Sequence, residues 1–170
     1  MAAPVVLRPV RVSDERDVLA AQRTLQAEGF VFAFRVSEMR WHDYVAFLEE
    51  AACAMELPAP WVPSTFLLAE VDSTIVGRTS IRHTLTDRLL LTGGHIGYAV
   101  LPDHRQRGYA TEILRQSLVI AHSLGIAPVL VTCDEGNEPS ARTIERCGGT
   151  LENVVDNPEG GPPKRRYWIE

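Results

Sequence analysis

No apolar run in this sequence approaches the roughly 18 residues of a membrane-spanning helix, so no membrane partner is expected. The three cysteines, Cys53, Cys133 and Cys147, are an odd number without C-x-x-C or histidine-paired spacing. Reduced thiols fit that pattern better than a disulfide framework or a zinc site, and no metal is expected. An excess of basic charge is also missing. The formal net charge is −5, which argues against nucleic acid as a partner. The opening residues, MAAPVVLRPV, lack the charged-then-apolar order of a secretory signal, so a cytoplasmic location is expected. Neither the G-x-G-x-x-G fingerprint nor the G-x-x-x-x-G-K-[ST] loop occurs.

What is present reads as one domain over residues 1–170, long enough to bury a core, with no internal repeat. Val5–Val10 reads as a short edge strand with Pro9 near its end. Ser13 is expected to cap a first helix that Gly29 ends. Ser37 is expected to cap a second, carrying the stripe Trp41, Tyr44, Val45, Leu48, Ala52 and Met55. Such a stripe is usually core, but its position lets it form one wall of a substrate cleft. Thr65–Val71 and Thr74–Arg82 read as a hairpin turning at Asp72-Ser73. The polar run Arg82–Arg88 reads as a solvated connection or a loop near an acceptor site. Pro128–Cys133 is an apolar strand of the kind buried on both faces. A short helix follows from Pro139 and stops at Gly148-Gly149, and two more strands, Thr150–Val155 and Arg165–Ile169, close the chain.

The stretch that carries chemistry is Gly94–Leu118, GHIGYAVLPDHRQRGYATEILRQSL. It reads as a strand stopped by Pro102, a basic turn, and a helix with apolar residues at Ala110, Ile113, Leu114 and Leu118. The first turn of a helix has N–H groups without internal partners and a partly positive end, and a phosphate satisfies both. Gly108 lets backbone come close to an oxyanion, and Arg105 and Arg107 add full charges. This Arg-x-x-Gly-x-Ala pattern, between a strand and a helix, resembles the coenzyme A pyrophosphate loop of the GCN5-related N-acetyltransferase (GNAT) superfamily. Asn137-Glu138-Pro139-Ser140 and then Cys147-Gly148-Gly149 occur where that superfamily carries Asn-x-x-Ser, a helix and a glycine before a strand. The tail Lys164–Ile169 and the segment Gly93–Tyr98 resemble a bacterial subgroup of that superfamily.

The resemblance implies an α/β (α+β) fold with a mixed central sheet of about six to seven strands, splayed at the middle and flanked by about four helices. It implies acetyl transfer from acetyl-CoA, a co-substrate, directly to a primary amine of a small molecule or peptide, with a homodimer left open. By the same resemblance Val100, Arg105, Gln106, Arg107, Gly108, Tyr109, Ala110, Thr111, Asn137 and Ser140 would bind the coenzyme. The family often places a tyrosine four residues after the motif serine, as the acid for the thiolate, and Ile144 stands there in this chain. Tyr109 is a candidate acid, with Tyr98 and Tyr167 as other substitutes. His95 is a candidate base or a structural histidine beside Gly93-Gly94, and Asp134 is the second choice as base. Cys133 as a covalent nucleophile is disfavoured by the lack of a paired histidine. The alternative to an enzyme is a non-catalytic acyl-CoA-binding regulatory module of the same fold.

Overall fold

Residues 4–170 are described by a computed structural model. The strands are β1 (Val6–Arg8), β2 (Ser64–Val71), β3 (Thr74–Arg82), β4 (Ile96–Val100), β5 (Val129–Asp134), β6 (Thr150–Val155) and β7 (Lys164–Ile169). They form one sheet in the order β1-β2-β3-β4-β5-β7-β6. Four helices flank it: α1 (Glu15–Gln26), α2 (Trp41–Cys53), α3 (Tyr109–Ser123) and α4 (Glu138–Arg146). The expected mixed α/β sheet is therefore present, with β1 at one edge.

Hydrophobic burial divides between the two faces of the sheet. On one face Val18, Leu25, Trp41, Tyr44 and Val45 of α1 and α2 pack on Phe66 and Leu68 of β2. On the other, Ile113 and Leu114 of α3 and Ile144 of α4 pack on β4, β5 and β7. Each strand therefore feeds alternate residues to two cores. The β2–β3 hairpin turns at Asp72 and Ser73 with φ of 47° and 61°, the left-handed pair that two-residue hairpins favour.

Two expected caps are corrected. Ser13 lies within a short 3-10 turn, Val12–Asp14, before α1, and makes no capping bond. Asp14 does the local work instead: its carboxylate accepts from the Arg11 amide at 2.7 Å and from the Arg8 guanidinium at 2.7 and 3.0 Å. Helix α2 begins at Trp41 rather than after Ser37, with extended Arg40 as its N-cap. The Trp41 indole donates to the Val12 carbonyl at 2.7 Å, which fixes the start there. The same helix ends at Cys53, so Met55 falls outside the stripe and is 92% exposed. One element was not anticipated. Leu89–Gly93 forms a turn of π-helix after the polar run, and it packs on β5 and β7.

The relation of β4 to β5 positions the site. These parallel neighbours share a single ladder pair, Ile96 with Val131, while β4 stays paired with β3 through Val100 opposite Gly77. The closed end is tied twice more, by the His95 amide donating to the Leu130 carbonyl at 2.7 Å and the Leu130 amide donating to His95 Nδ1 at 2.9 Å. Beyond Ile96 no ladder pair joins them, so the strands diverge over the roughly 13 Å that four residues of β4 span. Among the described residues no helix is long and apolar enough to cross a membrane.

Candidate functional site

The open end of the β4–β5 seam meets the start of α3. Gly108, the N-cap of α3, has φ +81°, a backbone region that L side chains enter only at a cost. No heavy atom lies within 4 Å of where its Cβ would be, so the space in front of this helix end is open. No side chain caps α3, and its first N–H groups keep their capacity to bind an anion. Gln106, also left-handed at φ 60°, turns the loop, and exposed Arg107 forms no ion pair among the described residues. Ala110 and Tyr109 pack on the core beneath.

Arg105, at the start of the same loop, engages groups of the chain itself. Its Nε donates to the Val100 carbonyl at 3.1 Å and its Nη2 to Glu28 at 2.6 Å, which braces the loop against the end of α1. The Thr111 carbonyl accepts from the Cys147 thiol at 3.7 Å, so it links α3 to the end of α4. Asn137 caps α4, its Oδ1 accepting from the Ser140 amide at 3.2 Å.

Across the seam, the Tyr98 hydroxyl from β4 lies 2.9 Å from Ser140 Oγ in the first turn of α4. Burial pushes the Tyr98 phenol up to about 12, against the opposing pull of its bond to Ser140. Neither other tyrosine makes this contact: Tyr109 opens α3, and Tyr167 donates to Glu145 at 3.2 Å. Ile144 is fully buried between α4 and the sheet, so it serves packing. Burial raises the Cys133 thiol, which keeps it protonated and a poor nucleophile.

His95 lies at the closed end of the seam, five residues from Val100. Its Nδ1 accepts the Leu130 amide, so the neutral ring has no lone pair left to take a proton from an amine. Its pKa is lowered by burial first and by the Arg82 charge second. In this geometry the ring is a cross-strand tie. Asp134, at the end of β5, is ion-paired with Lys164.

On the α2 side of the sheet lies a cavity of about 330 Å³. Tyr44, Phe47, Trp61 and Phe66 supply aromatic walls, and Arg82, Arg88 and the Leu89–Gly93 turn close another side. The α2 stripe is thus both core and cleft wall, and the polar run 82–88 does border a cavity. Arg78, beneath it, has no signal in the sequence: a charge on a strand reads as solvent-facing, yet this one is 1% exposed. It donates to the carbonyls of Val31, Phe32 and Gly97 at 2.8, 3.0 and 2.9 Å. Those bonds pin the α1–α2 connection onto the sheet.

Comparison with known proteins agrees with this geometry. A family model described as an acetyltransferase (GNAT) domain matches residues 5–150. No curated protein sequence matches. Among solved structures, the microcin C7 self-immunity acetyltransferase MccE, in complex with acetyl-CoA and AMP, superposes with a TM-score of 0.68 at 16% identity. The superposition covers 97% of this chain and 91% of MccE. The yncA protein from Salmonella typhimurium, with its cofactor acetyl-CoA, gives 0.65 at 15% identity over 96% and 91% of the two chains. A GNAT-family protein from Bordetella pertussis gives 0.68 at 17% identity over 100% and 98%. At these identities the likeness is one of fold.

Proposed function

The chain belongs to the GNAT acetyltransferase family, and from that premise we propose that it moves an acetyl group from acetyl-CoA directly to a primary amine of a small molecule or peptide. The carrying observation is the β4–β5 seam, closed at Ile96–Val131 and open where the uncapped start of α3 faces free space over Gly108. Acetyl-CoA fits the residues present: amides at 108–111 and the Arg107 guanidinium suit its pyrophosphate, and backbone groups of β4 beyond Ile96 suit its amide-bearing arm. Two of the solved relatives hold that molecule. When bound, it supplies an activated acetyl thioester.

Arg105 holds the loop in place through Glu28 and the Val100 carbonyl. Asn137 fixes the start of α4 and so the position of Ser140. We assign the acid role to Tyr98 in place of Ile144, because its phenol stays protonated at neutral pH and reaches Ser140 from the opposite strand. An alkylammonium acceptor must lose a proton before it attacks. For the base we retain Asp134, at the end of β5, whose ion-pair partner Lys164 lines the cavity.

The test is the thermal midpoint with and without acetyl-CoA, followed by thiol release over an amine panel. At a hundredfold excess over Kd, a native-state ligand adds about 2.7 kcal/mol. A rise with turnover is expected, and no rise overturns the reading. The burial of Ile144 favours one second reading, an acyl-CoA-binding regulatory module, since that position offers no proton donor. A rise in midpoint without turnover of any amine would select it.

A further inference from the structure

The cavity wall carries four cationic side chains, and their partners differ. Arg35 pairs with Glu38 at 2.8 Å, Glu159 holds Arg88 at 2.6 and 2.9 Å, and Lys164 pairs with Asp134. Arg82 has no carboxylate partner among the described residues. Its Nη1 donates to the carbonyls of Gly93 and Gly94, both at 3.1 Å, its Nε and Nη2 have no hydrogen-bond partner among the described residues, and the residue lines the cavity.

Arg78, Ser80 and Arg82 alternate along one face of β3. Gly97 lies opposite Ser80 on β4, and a Cβ built on it would sit 3.6 Å from Arg78 Nη1 and 3.6 Å from both terminal nitrogens of Arg82. Two guanidiniums therefore converge over one glycine with no anion of the chain between them, a repulsive arrangement that a bound anion would relieve. Burial pulls Arg78 down to about 9 and Arg82 to about 10, which agrees with charges left uncompensated. The second observation is independent. Tyr44 lines the same cavity, is fully buried, and its hydroxyl has no hydrogen-bond partner. Buried hydroxyls are nearly always bonded, and an unbonded one on a residue that lines a cavity has a free capacity to donate to a ligand oxygen.

We infer that the amine acceptor also carries a carboxylate, bound by the Arg82 guanidinium and the Tyr44 hydroxyl, with its apolar body against Phe47, Trp61 and Phe66. The inference rests on the acetyl-transfer reading above. Its geometry is coherent with that reading. The Arg82 guanidinium already lies over Gly97, the first β4 residue past the last β4–β5 ladder pair, so an acid anchored there holds a neighbouring amine beside that residue. The amine thereby arrives where the seam opens. Polyamines and simple basic amines are disfavoured, since they would add positive charge beside an unbalanced arginine.

The test pairs L-phenylalanine with phenethylamine and with phenylalaninamide in the thiol-release assay. The acid is expected to exceed both in kcat/KM, and Arg82→Gln is expected to abolish that preference, a loss of about ten- to a hundredfold for the acid. Because Arg82 also holds the Gly93–Gly94 turn, Tyr44→Phe is the second variant. It should raise KM for the acid without lowering the thermal midpoint, an outcome that a purely structural tyrosine would not give. Equal or better turnover of the uncharged pair members, or an unmoved KM in Tyr44→Phe, overturns the inference. Calorimetry with 3-phenylpropionate, without acetyl-CoA, separates the two levels. Arg82-dependent binding of that acid in a protein that turns over no amine would keep the anion site and discard acetyl transfer. Absence of binding, or binding undiminished in both variants, would discard the anion site alone.

Discussion

Replacing Gly108 by alanine and by glutamate separates backbone strain from ligand electrostatics at one position. At φ +81° any L side chain in Gly108's place costs about 1–2 kcal/mol, and with no atom within 4 Å of the added Cβ there is no clash to add. Both variants therefore lose that much stability. The glutamate should lose slightly less, because a carboxylate at a helix N-terminus gains about 0.3–1 kcal/mol from the helix dipole. The ligand sees the opposite sign. A carboxylate about 4 Å from a phosphate charge costs about 1 kcal/mol at the dielectric of water and about 4 kcal/mol at an effective value near 20. Calorimetric titration with CoA should show near-native affinity for Gly108→Ala and a loss of at least about fivefold for Gly108→Glu. Urea unfolding of the same samples should rank the apo proteins in the reverse order. A glutamate variant that binds CoA within twofold of the alanine variant would refute the placement of phosphates at this helix end.

Three further outcomes are expected. Ile144→Ala, at a fully buried site, should cost about 2–5 kcal/mol in urea unfolding and leave the affinity for acetyl-CoA unchanged. A matching loss of affinity would mean that residue 144 acts on the ligand. His95→Leu leaves the Leu130 amide unpaired and should cost about 1–3 kcal/mol at pH 8, so a loss below measurable size would remove the cross-strand tie. The folded pKa of His95 is depressed, so the unfolded chain binds the extra proton first; wild-type stability should fall as pH drops below about 6.5, and more steeply than in His95→Leu, the residual slope belonging to His83, whose pKa burial also lowers. Tyr98→Phe should lower kcat at saturating acetyl-CoA with little change in CoA affinity, and an unaltered kcat would end its assignment as the acid.

Local chemistry was readable from the sequence wherever it acts within a few residues. Asp72-Ser73 turns the hairpin, Pro139 stands in the first turn of α4, and α3 begins directly after Gly108, each for a reason confined to neighbouring backbone. Ser13 and Ser37 misled because distant partners decided those helix starts: Arg8 engages Asp14, and Val12 receives the Trp41 indole. The same limit hid the cavity's chemistry. An arginine at an alternate strand position reads as exposed, and only the fold reveals that Arg78 is enclosed by the carbonyls of Val31 and Phe32, more than forty residues earlier. Tyr44 is legible as core from its helical spacing, but its unbonded hydroxyl is a property of what surrounds it. His95 could be read two ways, and the partner that decides between them, the Leu130 amide, lies 35 residues away.

The narrow joint between β4 and β5 also divides the chain. Strands β1 to β4 come from residues 6–100 and β5 to β7 from residues 129–169, so the sheet is two sequence-contiguous leaves hinged at Ile96 and Val131. Helix α3 is the stitch, packing on β3 and β4 and touching α4. A cut in the turn after α3, around Gly125, would sever no strand from its antiparallel neighbour. The two leaves are held together by the single ladder pair, by the Leu89–Gly93 turn on β5 and β7 and by α3 against α4, so a molecule seated in the crevice would be mortar between them.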